Sequence, residues 1–106
     1  MNNTRLSVPA SATKGDVIEI KALIQHPMES GFRRNSRGVA VPRDIITRFE
    51  CDYDGETVFA ADFNPSVSAN PFLTFYTVAT ASGTLSFRWI DQDGKTWTDT
   101  AEIEVQ

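Results

Sequence analysis

One histidine, one cysteine and a run of arginines are the residues of this 106-residue chain that could carry chemistry. His26 opens the stretch HPMESGFRRN. A catalytic triad needs a nucleophile, a base and an orienting group within mutual reach, and a zinc site needs several His or Cys ligands. The sequence supplies only His26 and Cys51, and no Gly-x-Ser-x-Gly elbow. No catalytic residue, metal site or cofactor is therefore expected. His26 reads as the end of a strand, hydrogen-bonded to loop backbone, with a polar contact to a partner as the functional alternative. Cys51 falls on the apolar face of a strand, where a thiol behaves as a small hydrophobe, and no cation stands beside it in sequence to lower its pKa. The segment DQDG at 91–94 starts like a calcium loop but lacks the later acidic positions, so it reads as a hairpin loop.

The arginines point outward. Arg33, Arg34, Arg37 and Arg43 all lie in the connection 27–44, in a chain of ten cationic residues and net charge −4. Long connections in compact domains are often functional, and arginine makes bidentate contacts to carboxylates and oxyanions. This loop is a candidate docking or anion-contact surface, with His26 at its root. The alternative is a solvated loop without a partner.

The elements that must position these residues are strands. Period-two alternation runs through 4–8, 16–26, 45–53, 56–63, 72–80, 84–91 and 95–105, and no segment has a helical period. In DVIEIKALIQH, Ile18, Ile20, Ala22 and Ile24 share one face, which His26 continues. In IITRFECDY, Ile45, Thr47, Phe49, Cys51 and Tyr53 are expected on one face, against Ile46, Arg48, Glu50 and Asp52. Asp54-Gly55 and Asp93-Gly94 mark hairpins. The register of the apolar residues favours three-residue loops in both, which would set Phe59 opposite Phe49 and Trp97 opposite Trp89. About seven strands with one-sided burial make an all-β fold, an immunoglobulin-like antiparallel β-sandwich, with residues 1–106 as a single domain.

One strand breaks the pattern. NPFLTFYTVA carries Leu73 and Phe75 on one face and Phe72, Tyr76 and Val78 on the other. An outer face with three large apolar groups needs a cover, and Phe72, Tyr76 and Val78 are candidates for a partner interface.

Composition excludes several classes. An acidic chain with pI near 4.8 is a poor binder of nucleic acid, and no apolar run is long enough for a membrane helix. The N-terminal sequence has no apolar stretch of the kind a secretory signal requires, which taken alone points to the cytoplasm. A lone cysteine forbids an internal disulfide.

The segments HPMESG, VPRDIITRFECDYDGETVF, NPSVSANPFLTFY and SGTLSFRWIDQDGKTW, in that order, resemble the SoxZ family over roughly Asp16 to Trp97. The resemblance implies an immunoglobulin-like, non-catalytic subunit of the SoxYZ sulfur carrier of thiosulfate oxidation. It implies a SoxY-like partner that holds sulfur intermediates on a cysteine of its C-terminal Gly-Gly-Cys-Gly-Gly tail. It implies transient visits to a haem-containing loading enzyme, a sulfate-releasing hydrolase and a sulfane dehydrogenase. It also implies a periplasmic home, reached bound to a signal-bearing partner. The C-terminal EIEVQ carries no such tail, which fits the subunit without substrate. Two other readings stay open at this point: a stand-alone immunoglobulin-like binding or adhesion module, and a small thiol enzyme using Cys51 and His26.

Overall fold

The computed structural model describes residues 3–106, and every regular element among them is a strand. In chain order these are β1 (Thr4–Ser7), β2 (Ser11–Ala12), β3 (Val17–Ile24), β4 (Ile46–Tyr53), β5 (Glu56–Asp62), β6 (Phe72–Val78), β7 (Gly83–Asp91) and β8 (Thr96–Val105). They form a three-stranded sheet, β1-β3-β6, and a five-stranded sheet, β2-β8-β7-β4-β5. All pairings are antiparallel except β2 with β8. β2 is the strand the periodicity does not reveal, because two residues are too few to show a period.

The inner faces meet as alternation dictates. Ile18, Ile20, Ala22 and Ile24 of β3 and Phe75 of β6 are buried against Phe49, Cys51 and Tyr53 of β4 and Leu85, Phe87 and Trp89 of β7. Phe49 is the aromatic hub, with ring centroids 5.1 Å from Trp89, 5.9 Å from Phe75 and 6.2 Å from Phe87. Phe59 of β5 stacks on Phe75 at 4.3 Å, which joins the edges of the two sheets. Tilted and offset pairs of this kind add roughly 0.5–1.5 kcal/mol each beyond the area they bury.

The first residues of β4 depart from strict alternation. The β4–β7 register slips between Ile46 and Arg48, so Thr47 is an extra residue. Both Ile45 and Ile46 are then buried, and Thr47 donates its Oγ1 hydroxyl to the Ile90 carbonyl at 3.2 Å. Beyond the bulge, Phe49, Cys51 and Tyr53 face the core as expected.

The two Asp-Gly hairpins differ. At Gly94 (φ 83°) the loop holds three residues, Trp97 lies opposite Trp89 and Ala101 opposite Leu85. Asp91 fixes this loop by accepting the N–H groups of Asp93 at 2.9 Å and Lys95 at 2.8 Å on Oδ1, so DQDG is a hairpin built around a buried carboxylate. At Gly55 the three-residue loop is not formed. Tyr53 pairs with Glu56, and Asp54 (φ 49°) and Gly55 (φ 85°) both take the left-handed conformation of a two-residue type I′ turn. The extra residue sits further along instead, at Val58, which sets Phe59 opposite Cys51 rather than Phe49. The face is the expected one; the position of the slip is not. Asp54 is held from across the sheet, since its Oδ1 accepts the Thr84 N–H at 2.9 Å. Gly83 allows that approach: a Cβ there would lie 2.1 Å from the Asp54 carboxylate.

Candidate functional site

His26 follows the last residues of β3 and is buried. Its Nδ1 accepts the Met28 N–H at 3.0 Å, and Nε2 lies 3.6 Å from Asp44 Oδ1. The ring stands edge-on to Trp97, centroids 5.6 Å apart. The backbone of His26 exchanges two bonds with Asn70: its N–H donates to Asn70 Oδ1 at 2.9 Å, and its carbonyl accepts the Asn70 N–H at 2.8 Å. Met28, at φ 49°, turns its sulfur into the core, where Sδ accepts the Ile46 N–H at 3.3 Å. The histidine and methionine of HPMESG and the asparagine of NPSVSANPF therefore form one joint that launches the connection 27–44. Met28 and Asn70 escaped the reading of the sequence; the signal was their place inside two distinctive motifs.

Beyond the joint the chain leaves the sandwich as an arm. Glu29 and Asp44 exchange backbone bonds of 2.8 and 2.9 Å at its base. Arg34 bridges Ala40 nearer the tip, where Asn35 and Gly38 close the turn. The molecule measures 58 × 25 × 20 Å. The longest strand has ten residues, about 33 Å at the usual rise, well short of the long axis.

The four arginines do not act as a cluster. Arg33 forks onto Glu29 with bonds of 3.0 and 2.6 Å, which neutralises it and holds the Glu29 carboxyl below its ordinary range. Arg43 donates to Gln92 Oε1 at 3.1 Å, and Gln92 Nε2 donates back to the Arg43 carbonyl at 2.9 Å, so this residue welds the arm to the β7–β8 hairpin. Arg34 reaches only the Gly38 carbonyl, at 2.8 Å. No carboxylate pairs with Arg34 or Arg37 among the described residues. Arg43 also lacks a carboxylate but is tied to Gln92, so the arm's cations that no side chain engages are Arg34 and Arg37, on the same arm as Phe32, which is 87% exposed.

Cys51 is fully buried, and burial, followed by the neighbouring Asp52 charge, pushes its thiol up to about 12. A thiol in that state is not a nucleophile at neutral pH. Two surface clefts among the described residues bring no reactive pair together: one is lined by Ser82, Thr84, Glu102 and Glu104, the other by Glu50, Asp52, Arg88 and Asp99. Among the described residues, no three His, Cys, Asp or Glu side chains gather as a metal site would require. The geometry offers no support to the thiol-enzyme reading.

On the outer face of the three-stranded sheet, Phe72, Tyr76 and Val78 are 56%, 59% and 46% exposed. Leu23 stands opposite Phe72 and Val17 opposite Val78, which extends the apolar strip onto β3. Tyr76 donates its hydroxyl to Glu19 Oε2 at 3.0 Å, and Glu19 lies 3.5 Å from Lys21 Nζ. The charged groups of this face thus lie on β3, and β6 contributes none.

Fold and site define a class: an immunoglobulin-like sandwich whose chemistry-bearing side chains are consumed in structure while apolar and cationic groups face outward. Residues 5–102 match the family described as sulphur oxidation protein SoxZ, and the chain belongs to that family. No curated sequence matches it at a significant level. Among solved structures, the sulfur carrier protein SoxY from Chlorobium limicola f thiosulfatophilum is similar with a TM-score of 0.70 and 14% identity, covering 100% of this chain and 81% of that one. Superoxide reductase (neelaredoxin) from Ignicoccus hospitalis has a TM-score of 0.74 and 16% identity over 99% of this chain and 81% of its own. A putative superoxide reductase from Thermotoga maritima has a TM-score of 0.75 and 16% identity, over 99% and 86%. At such identities the likeness is one of fold, and one fold serves unrelated activities.

Proposed function

We propose that this chain is the non-catalytic subunit of a heterodimeric sulfur carrier of the SoxYZ type. In this reading a SoxY-like subunit holds the sulfur intermediates on a C-terminal cysteine, and the present chain stabilises that subunit and helps display its tail. Family membership over residues 5–102 carries the reading. Two features of the geometry support it. The only thiol of the chain is buried and protonated, so it cannot carry cargo. The apolar strip of Phe72, Tyr76 and Val78 is of the kind that a lasting partner covers.

The arm has the second role. Arg34 and Arg37 would meet the acidic surface of a visiting enzyme or the anionic sulfonate of the loaded tail, with Phe32 as an apolar anchor. The visitors would be the haem-containing loading enzyme, the sulfate-releasing hydrolase and the sulfane dehydrogenase. The complex would work in the periplasm, exported by the partner's signal. Co-expression with a signal-bearing SoxY-type protein tests the location: the chain should fractionate with the periplasm when the partner is present. Retention in the cytoplasm would contradict it.

A further inference from the structure

Each sheet of the sandwich ends in two edge strands, and an edge exposes unpaired N–H and C=O groups that invite another strand. Among the described residues all edges but one are protected. β8 is paired with β2 only at Glu104 and Val105, and its open stretch Thr96–Ile103 carries Asp99 and Glu102. β1 has four residues and carries Arg5, and β2 has two. β5 begins at Glu56, ends at Asp62 and is bent by the Val58 bulge. β6 has none of these devices. Its seven residues, FLTFYTV, contain no charge, proline or glycine, and its register against β3 runs through seven rungs without a slip.

The direction of its backbone groups follows from the ladder. The Ile24 N–H bonds to the Pro71 carbonyl at 3.2 Å, and the Ala79 N–H to the Asp16 carbonyl at 2.8 Å. Odd-numbered residues of this segment therefore turn their backbone towards β3, and in an antiparallel pair the alternate residues turn away. The N–H and C=O groups of Phe72, Thr74, Tyr76 and Val78 point to the open side, and no protein group among the described residues bonds them. Three of these residues, Phe72, Tyr76 and Val78, carry the exposed apolar strip. Edge and face are thus one continuous surface, hydrogen-bonding along its rim and apolar across it.

We propose that β6 is completed by strand addition: an edge strand of the SoxY-type partner pairs with Phe72, Thr74, Tyr76 and Val78 and extends the β1-β3-β6 sheet across the subunit boundary. The proposal rests on the carrier-subunit reading and adds the mode of pairing. A SoxY-type sandwich suits the role because it shares this fold, at a TM-score of 0.70, and so has edge strands of its own. Main-chain bonds would hold the two sheets in register, and the aromatic strip would seat the partner's alternate side chains.

Amide-resolved hydrogen exchange on the isotope-labelled chain, alone and mixed with a SoxY-type carrier subunit, tests this. Alone, the Leu73, Phe75 and Thr77 amides exchange slowly and the Phe72, Thr74, Tyr76 and Val78 amides fast. In the complex at least three of those four slow by about a hundredfold or more, the mark of a hydrogen-bonded ladder. A complex in which they exchange as before overturns strand addition and leaves the carrier-subunit reading standing. No complex at all overturns both. Self-association of the chain with the same protected amides makes the occupant a second copy and overturns pairing with SoxY. Thr74→Pro removes one outward N–H and spares the bonds to β3, since proline is tolerated on the open side of an edge strand. The variant should keep the slow Leu73, Phe75 and Thr77 amides and bind at least tenfold more weakly. Unchanged affinity in a folded variant would contradict the proposal.

Discussion

His26 spends its Nδ1 lone pair on the Met28 N–H, inside a joint closed by Asn70. His26→Ala would leave that buried donor without an acceptor, at a cost of about 1–3 kcal/mol. Chemical denaturation should show the loss, and His26→Asn, whose Oδ1 can replace Nδ1 as acceptor, should recover part of it. Equal destabilisation by both variants would argue against the bond. Cys51 makes a second prediction. Its thiol, pushed up to about 12 by burial, should react with a disulfide reagent only as fast as the native state opens. Rapid labelling under native conditions would return the thiol to consideration as a reactive group. The burial of both residues was legible in strand parity, because both continue apolar faces. Their bonding partners were not, since Asn70 is remote from His26 in sequence and meets it only through the fold.

At the scale of elements, parity predicts which face a residue takes better than it predicts where a register slips. The Gly94 loop follows the expectation because Trp97 and Ala101 can face the core only with three residues in the turn. In the Gly55 hairpin the slip is displaced to Val58, because Asp54 is held in the left-handed turn by Thr84, a residue of another strand. The arm was legible as a long arginine-bearing connection, but its distribution of charge was not. Glu29 cancels Arg33, and Gln92 binds Arg43 to the sandwich. Replacing Arg34 and Arg37 together by alanine should therefore slow carrier turnover several-fold at low salt and less at high salt, as screening predicts. Arg33→Ala should have the smaller effect, and an equal or greater effect would contradict this division. The outer face of the five-stranded sheet gives a pH prediction. Arg48 lies 2.8 Å from Glu50, Arg88 also bonds it, and together they hold the Glu50 carboxyl below its ordinary range. A depressed carboxylate contributes stability that is present above the unfolded pKa, about 4.3 for Glu, and is lost as pH falls through the folded value. Urea midpoints should drop as pH falls below about 4, and Glu50→Gln should make the drop shallower. A variant with an unaltered acid profile would show that the ladder is not the source.

For the whole molecule, the sandwich is a scaffold shared with proteins named as superoxide reductases and as a sulfur carrier, so the core cannot identify the function. The functional reading therefore rests on how its outside is arranged. The aromatic core around Phe49 and Trp89 fixes two sheets rigidly enough to present the unprotected β6 strip along one side. The His26 joint projects a cationic arm from the end of β3. In the proposed function both serve recognition, and the carrier-subunit account stands on the first of them meeting a SoxY-type partner. Sedimentation velocity on the chain mixed with that partner at micromolar concentration tests the claim most directly. The account predicts one species heavier than either component, lost when Phe72 and Tyr76 are replaced together by serine. Two components that sediment independently, each as it does alone, would contradict it.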